Sequence, residues 1–335
     1  SKPIDLPEVL RHHNVRVLAP PRLPIPGTLW LHTLLPAGLR RAGADVFVGS
    51  LAVLPRRCPI PAVSMIHDIT PRTHPRQHTL ANRFCFNAYL EESLDWAAVV
   101  VTGSAATEHE LLTHFHSVRS KLVRIGYGVD DFFSPAPEGD DGSATRISLT
   151  SGRRYLLHLG TLEPRKGVTD LVSAWEELWD THPDPPDLVL AGGPGWGMQP
   201  IMARIDDSPH RDHIHLPGYV DRETARDLLR FADVFVIASQ AEGFGLPLAE
   251  AVSCGTPCVA SDIPSLREAG GGAALYSAPC APAELSRNIV AALDPDTADD
   301  LRQRAAVRAA ELGWAPVVAA WDDLLERVVE ESRSS

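Results

Sequence analysis

Short apolar segments alternate with amphipathic ones from about residue 60 onward. The apolar segments are AVSMIHD, AAVVVTGS, KLVRIGYGV, RRYLLHLGT, DLVLAGG, HIHLPGY, ADVFVIAS and TPCVAS. Strands this apolar are typical of parallel sheets that are covered on both faces. The intervening segments 168–179, 221–232 and 246–254 have the apolar spacing of helices, and Asp221 is a candidate cap. The pattern predicts an α/β protein with parallel sheets and right-handed crossovers.

A segment rich in Pro, Gly, Ser and Asp interrupts this pattern at residues 134–152. Its composition is typical of a linker or loop, and each side carries its own β/α series. The chain of 335 residues has the length of about two domains. We therefore predict two facing, doubly wound Rossmann-like domains, residues 1–150 and 151–313, with an interdomain cleft at the carboxyl ends of the strands. Residues 314–335 are predicted to form a closing helix.

Composition and charge exclude several classes of function. The chain is 44% hydrophobic and 22% charged, without an apolar tract long enough to cross a bilayer. The first residues, SKPIDLPEVL, do not resemble a secretion signal, so a cytoplasmic protein is expected, with at most peripheral contact at the inner face of a membrane. The net charge is −12, of which residues 151–335 carry −13 and residues 1–150 carry +1. An acidic protein without a basic stripe is a poor nucleic-acid binder.

Metal and disulfide chemistry are not indicated either. The five cysteines are scattered and form no CxxC pair, and the fourteen histidines show no HExxH spacing. The glycines of 191-AGGPGWG-197 lack the spacing of a dinucleotide fingerprint, which argues against an oxidoreductase. We expect neither a metal nor a cofactor.

The segment 241-AEGFGLPLAEAVSCGTPCVASD-262 places Glu242 and Glu250 on either side of a glycine-rich helix start. The free amides of a helix start suit a phosphate, and Gly243 and Gly245 permit close approach of the backbone. A carboxylate about one turn inside the helix leans toward the amino terminus, where Glu250 could accept hydrogen bonds from a ribose. Glu242 could do the same for a second polyol. The alternative is an ordinary loop acid and an ordinary first-turn acid.

Two further loops supply candidate groups. In 158-HLGTLEPRKGVTDLV-172 the adjacent Arg165 and Lys166 would repel each other unless an anion lies beside them, and a diphosphate fits. Solvated charges are the alternative. In 65-MIHDITPRTHP-75 a strand ends in His-Asp, which places His67 across the cleft as a hydrogen-bonding group or, alternatively, as a structural histidine.

These motifs occur together with SDIPSLREAGGGAALY, VTGSAATEHELLTHF and IGYGVDDFFSPAP, in an order that resembles retaining glycosyltransferases of family GT4. The resemblance covers residues 60–330 and is closest to the bacterial mannosyltransferase-like branch. It implies the GT-B fold, with residues 314–335 closing back toward the amino-terminal domain. It also implies metal-independent transfer of mannose or glucose from GDP-mannose or a UDP-hexose to an acceptor hydroxyl. The acceptor would be a glycan, a lipid-linked sugar or a small molecule.

The resemblance also implies roles for individual residues. Glu250 would bind the nucleotide ribose, Glu242 the donor sugar, and Arg165 and Lys166 the diphosphate, while His67 would approach the donor hexose. The backbone around the donor would include Gly160, Thr161, Val220, Gly243, Phe244, Gly245 and Leu246. No carboxylate is placed as a nucleophile, so the implied mechanism is attack by the acceptor on the face that the diphosphate leaves.

Two departures from the family pattern are visible. Residues 1–50 contain no convincing strand followed by a glycine-rich loop, so the amino-terminal domain is expected to be incomplete. The loop usually written Pro-Asn-Gly-Val is Gly126-Tyr127-Gly128-Val129 in this chain. The departures leave a second hypothesis open, a non-catalytic GT-B partner protein that binds a nucleotide-sugar or assists another transferase.

Overall fold

The computed structural model describes residues 27–334, except for the side chains of Gly27, Thr28, Ala81, Asn82 and Cys85. The expectation about a glycine-rich loop in residues 1–50 therefore lies partly outside the described residues. Among residues 27–334, no helix combines the length and the apolar character that crossing a membrane requires.

The first half contains a sheet of four parallel strands in the order β1-β2-β3-β4. The strands are β1 (Phe47–Gly49), β2 (Ala62–Ile66), β3 (Val99–Thr102) and β4 (Leu122–Arg124). The helices are α1 (Gly27–Thr33), α2 (Leu35–Ala42), α3 (Thr70–Thr73), α4 (Leu80–Trp96) and α5 (Ala105–His114). Short 3₁₀ turns follow α3 at Pro75–Gln77 and α5 at His116–Val118. Because all four strands run the same way, the loops after β2 and β3 meet at one edge of the sheet.

The second half contains a sheet of six parallel strands in the order β10-β9-β8-β5-β6-β7. The strands are β5 (Tyr155–Leu159), β6 (Asp187–Ala191), β7 (Ile214–Gly218), β8 (Val234–Ile237), β9 (Cys258–Ser261) and β10 (Ala274–Ser277). The helices are α6 (Ser143–Thr150), α7 (Val168–Thr181), α8 (Met198–Asp206), α9 (Arg222–Phe231), α10 (Leu246–Ser253), α11 (Pro264–Gly270), α12 (Pro282–Leu293), α13 (Pro295–Glu311) and α14 (Trp314–Ser334). Turns of 3₁₀ helix occupy Pro164–Lys166 and Arg211–His213.

The strand order places the most informative loops side by side. Strand order reverses between β5 and β8, which are paired through Leu156 and Leu157. A parallel sheet opens a crevice at such a switch point, because the connections on its two sides lead away to opposite faces. The loops after β5 and β8 both open at this crevice, and they contain EPRKG and AEGFG.

The predicted α/β architecture is confirmed, and so is each strand expected from an apolar segment. The helices expected at 168–179, 221–232 and 246–254 are α7, α9 and α10. Asp221 caps α9 by accepting a hydrogen bond from the Thr224 amide at 2.8 Å. The edge strands β1 and β10 were not predicted.

Residues 134–152 are not simply a linker. They include α6, which begins where the Asp141 carboxylate accepts a hydrogen bond from the Ser143 amide at 3.0 Å. The start of this helix packs against the second half, since a Cβ added to Gly142 would lie 2.3 Å from the Phe231 ring. Phe133 is buried in the same core. Residues 133 and 142 thus pack against the second half of the chain.

The last helix joins the two halves. Val317, Leu324 and Val328 of α14 are buried against Val63 and Val101 of the first sheet. The preceding residues belong to the second half, and the Val129 amide donates to the Leu312 carbonyl at 2.7 Å. The chain thus crosses between the halves twice, near residues 129 and 312, and both crossings are tied together.

Helix α7 packs against strands of the second sheet. Trp175 of this helix is fully buried, and its indole Nε1 donates to the Pro186 carbonyl at 2.8 Å. We expect Trp175→Ala to lower the free energy of unfolding by about 3–5 kcal/mol, because it leaves a cavity and an unpaired carbonyl. Urea unfolding followed by circular dichroism measures this. Trp96→Ala, at a tryptophan that is 43% exposed, is the control and should cost much less. Equal losses in the two variants would contradict the assignment.

Candidate active site

An ion-pair network connects the two loops at the switch point of the second sheet. The Lys166 Nζ lies 2.6 Å from Glu242 Oε1, and the Arg165 Nη1 lies 3.0 Å from Glu242 Oε2. Arg165 also contacts Glu163 at 2.7 Å, and the Ser239 hydroxyl donates to Glu242 at 2.7 Å. The two cations come from the 3₁₀ turn after β5, and Glu242 comes from the loop after β8. The network therefore fixes the two loops relative to each other.

Glu242 is ionised although it is almost inaccessible, with 9% of its side chain exposed. Burial alone would raise the pKa of its carboxyl group, but the charges of Lys166 and Arg165 and the hydrogen bonds of the network lower that pKa below its usual value. Lys166 and Arg165 are themselves only 12% and 15% exposed. The charges balance, because Glu163 and Glu242 face Arg165 and Lys166.

This network changes the interpretation of the Arg-Lys pair. The adjacent like charges predicted an anion beside them, with a diphosphate as the candidate. Within the protein, that anion is Glu242. The Nε of Arg165 is buried and has no hydrogen-bond partner among the described residues, so one strong donor of the pair remains open.

The glycine-rich loop after Glu242 is in close contact with the first half of the chain. A Cβ added to Gly243 would lie 2.3 Å from the His67 carbonyl oxygen, so only glycine permits this approach. The Gly243 carbonyl accepts a hydrogen bond from the Ser104 hydroxyl at 2.6 Å. Gly245 has a φ of +104°, and α10 begins immediately after it at Leu246, which is 41% exposed. The amides at this helix start are thus positioned by contacts from both halves.

Glu250 lies on α10, about one turn after its start, as predicted. Burial raises the pKa of its carboxyl group to about 7, and the opposing charge of Arg222 offsets this only in part. No hydrogen bond from the described residues reaches this carboxylate. A carboxylate in this state is available to accept hydrogen bonds from ligand hydroxyls.

The ring of His67 is occupied within the protein. Its Nε2 lies 2.9 Å from the Ser50 carbonyl, and a carbonyl can only accept, so this nitrogen carries the proton. The Nδ1 then accepts a hydrogen bond from the Tyr127 hydroxyl at 2.8 Å. The predicted position across from the acidic loop is observed, but neither ring nitrogen is open to a substrate in this conformation.

The remaining predicted donor residues lie along the same edge of the second sheet. Gly160 directly follows β5 and its amide donates to the Ala191 carbonyl at 2.9 Å, and Thr161 after it is exposed. Val220 is half-buried between β7 and α9 and packs against the second core. Phe244 is buried, with its ring centroid 5.0 Å from that of Tyr127.

Several residues of the site were not predicted. Ser239 bonds Glu242, while Ser104 and Thr107 both donate to the Gly243 carbonyl. Tyr127 contacts His67 and Phe244. The sequence signals were the unusual Gly126-Tyr127-Gly128 loop and the VTGSAATEHELLTHF motif, which contains Ser104 and Thr107, but their contacts depend on distant parts of the chain.

No group of three or more His, Cys, Asp or Glu side chains within residues 27–334 is arranged to hold a metal ion.

Comparison with known proteins identifies the family. The family described as "Glycosyl transferases group 1" matches residues 144–310. The O-antigen chain mannosyltransferase B of Escherichia coli is 30% identical over 255 residues, which are 76% of this chain and 67% of the relative. A D-inositol 3-phosphate glycosyltransferase of Jonesia denitrificans is 30% identical over 187 residues, 53% of this chain and 44% of the relative. The chain thus spans about two thirds of the first relative and less than half of the second.

A solved structure extends the likeness to the fold of both halves. The structure of HepE from Anabaena in complex with UDP and glucose has a TM-score of 0.76 to this chain. The sequences are 20% identical, and the match covers 96% of this chain and 88% of the other. Together with the motif order and the two facing parallel sheets, these comparisons show that the chain belongs to the group 1 glycosyltransferases, of the GT4 type with the GT-B fold.

Proposed function

We propose that the protein is a retaining hexosyltransferase that moves a sugar from a nucleotide-diphosphate sugar to an acceptor hydroxyl without a metal ion. The observation that carries this proposal is the buried network of Glu242, Arg165 and Lys166 beside the start of α10. Glu242 contacts both cations and lies four residues before the helix start, and Glu250 lies about one turn inside the helix. This arrangement matches the charges and hydroxyls of a nucleotide-sugar.

Donor binding requires an exchange of partners in the network. The diphosphate takes Lys166 and the open Nε of Arg165 as partners, and Glu242 turns to the hydroxyls of the donor sugar. Without this exchange the negative charges of the diphosphate would meet a network whose charges already balance, and their electrostatic attraction to it would be weak. The hydroxyls of the donor sugar therefore take Glu242 away from Arg165 and Lys166, which makes both cations available to the diphosphate.

The same cations promote departure of the nucleoside diphosphate. Cleavage of the bond to the anomeric carbon places negative charge on the leaving phosphate oxygens. Arg165, Lys166 and the amides of Gly245 and Leu246 stabilise that charge in a site with little water. In this complex Glu242 accepts hydrogen bonds from the donor sugar's hydroxyls and does not attack the anomeric carbon. The acceptor hydroxyl then attacks from the leaving-group face, which retains the anomeric configuration.

The relatives favour particular substrates. The E. coli relative is named as a mannosyltransferase of the O-antigen chain, which supports mannose from GDP-mannose as the donor sugar. The Anabaena structure contains UDP and glucose, which supports a UDP-hexose as the second donor to test. A glycan or lipid-linked sugar is the proposed acceptor, and a cytoplasmic location at the inner face of a membrane follows from such an acceptor.

The donor class is tested first by a thermal-shift panel of GDP, UDP, ADP and dTDP and their sugar conjugates. A donor at about 100 times its dissociation constant adds about 2.7 kcal/mol and raises the melting temperature by about 5 °C. Glu250→Ala is the control and should abolish the shift. If no nucleotide shifts the wild type, the transferase proposal fails and the non-catalytic partner protein becomes the better hypothesis.

The role of the cations is tested by Lys166→Ala. We expect kcat to fall by about 100-fold or more, because a group that stabilises the leaving phosphate is lost. The measurement is release of nucleoside diphosphate from the donor found in the panel. Lys121→Ala is the matched control, since Lys121 only donates to the Asp95 and Ala97 carbonyls of the first half. Normal turnover by the Lys166 variant would refute the assigned role.

The pKa of Glu250, raised to about 7, predicts opposite effects on stability and on binding. The folded protein holds this proton more tightly than the unfolded chain, so stability falls as the pH rises from about 4.5 to 7. Glu250→Gln should therefore be more stable than the wild type at pH 8, by about 3 kcal/mol in urea unfolding, and match it near pH 4.5. Nucleotide affinity should fall in the same variant. If the variant were less stable than the wild type at pH 8, the ionised Glu250 carboxylate would not destabilise the folded protein as expected.

A further inference from the structure

Tyr127 lies where the two halves of the chain meet, between two loops of the candidate site. Its hydroxyl lies 2.8 Å from the Nδ1 of His67, which directly follows β2. Its ring centroid is 5.0 Å from that of Phe244, in the loop that contains Glu242. Tyr127 also stands where the family pattern has an asparagine. A phenol hydroxyl at this point is therefore a feature of this chain rather than of the pattern.

The phenol ring of Tyr127 is fixed by its surroundings. A Cβ added to Gly103 would lie 2.1 Å from the ring, so only glycine leaves room for it. The ring of Phe244 contacts it from the second half, and Phe244 is itself buried. Burial, together with the negative charges of Asp68 and Glu268, raises the pKa of the Tyr127 hydroxyl to about 12. The hydroxyl therefore stays protonated and can donate.

The imidazole of His67 is the partner that has room to turn. His67 is exposed, and its ring is held by two hydrogen bonds, from the Tyr127 hydroxyl to Nδ1 and from Nε2 to the Ser50 carbonyl at 2.9 Å. Exposed side chains change rotamer rapidly, and a hydrogen bond to a ligand can replace one within the protein at little net change in free energy. A ligand that offers a hydroxyl can therefore replace Tyr127 as the partner of Nδ1.

The donor sugar of the proposed reaction is placed to supply such a hydroxyl. Glu242 is the carboxylate proposed to hold that sugar, and the next residue, Gly243, touches the backbone of His67. A Cβ added to Gly243 would lie 2.3 Å from the His67 carbonyl oxygen. A sugar held by Glu242 would therefore lie next to the residue that carries the imidazole. A nucleoside diphosphate without the sugar would have no group at this point.

From this geometry we infer that Tyr127 is a positioning residue that holds the His67 ring against Ser50 until a donor binds. When a nucleotide-sugar binds, His67 turns, and its Nδ1 accepts a hydrogen bond from a sugar hydroxyl instead of the Tyr127 hydroxyl. The need to break the Tyr127 bond weakens binding of the nucleotide-sugar, whereas a ligand without the sugar leaves that bond intact. The inference rests on the proposed sugar transfer, because it assigns a step in the binding of its donor.

The test compares Tyr127→Phe, which keeps the ring and removes the hydroxyl, with the wild type by isothermal titration calorimetry. The titrants are the nucleotide-sugar found in the thermal-shift panel and the corresponding nucleoside diphosphate. We expect the variant to bind the nucleotide-sugar about 3- to 10-fold more tightly, because a competing hydrogen bond is lost. Its affinity for the nucleoside diphosphate should change by less than about twofold.

Two controls separate this role from a purely structural one. In a His67→Ala background, Tyr127→Phe should change the affinity for the nucleotide-sugar by less than about twofold, because the imidazole that both hydroxyls compete for is gone. Tyr155→Phe is the matched control, since the Tyr155 hydroxyl donates to the Leu228 carbonyl at 2.9 Å within the second half. It should leave both affinities unchanged.

The exchange of partners can also be observed in the wild type, by nuclear magnetic resonance of protein that contains isotope-labelled histidine. The signals that disappear in His67→Ala identify the His67 ring. We expect the nucleotide-sugar to shift the His67 Nδ1 signal, and the nucleoside diphosphate to leave it in place. This measurement does not depend on the folding of any Tyr127 variant.

Four results would overturn the inference while leaving the transferase proposal intact. Two concern Tyr127→Phe, namely unchanged or weaker binding of the nucleotide-sugar, and equal tightening for the nucleoside diphosphate. The others are a tightening that persists in the His67→Ala background, and a His67 Nδ1 signal that does not respond to the nucleotide-sugar. If the wild type binds no nucleotide-sugar in the panel, the transferase proposal is refuted and this inference with it.

Discussion

The site depends on keeping the carboxylate of Glu242 ionised in a place that water barely reaches. An unpaired buried charge costs several kcal/mol, so Lys166 and Arg165 must lie against it. This requirement brings the loop after β5 to the loop after β8, at the only place in the second sheet where strand order reverses. The start of α10 follows within a few residues. One electrostatic constraint therefore fixes the two cations and Glu242 relative to each other.

The same loop also couples the two halves of the chain. Gly243 contacts the His67 carbonyl on one side, and its own carbonyl accepts a hydrogen bond from Ser104. Separation of the halves would break these contacts, while the ion pairs lie wholly within the second half and would persist. The two halves thus contribute different parts of the site. The second half alone holds the cations and Glu242, and contact with the first half sets the position of the backbone amides next to them.

Local patterns were sufficient to predict the strands, the main helices, and the loops that hold Glu242 and the Arg-Lys pair. Hydrophobic periodicity and helix starts depend on residues that are close in sequence. They can therefore be predicted from a single sequence. The contact between Lys166 and Glu242 was not predicted, because it depends on strand order. Tyr127 and Ser104 were missed for the same reason. Helix α6 was missed because its capping residues, Asp and Gly, are also the residues of loops.

The three carboxylates at the centre of the molecule differ in how far the protein satisfies them. Glu242 has two cations and a hydroxyl, whereas no hydrogen bond from the described residues reaches Glu250 or Glu110, and burial raises the pKa of both carboxyl groups to about 7. A buried carboxylate without partners lowers stability. Glu250 lies on α10 and Glu110 on α5. Under the proposed function, the hydroxyls of a nucleotide ribose would supply the hydrogen-bond partners that Glu250 lacks.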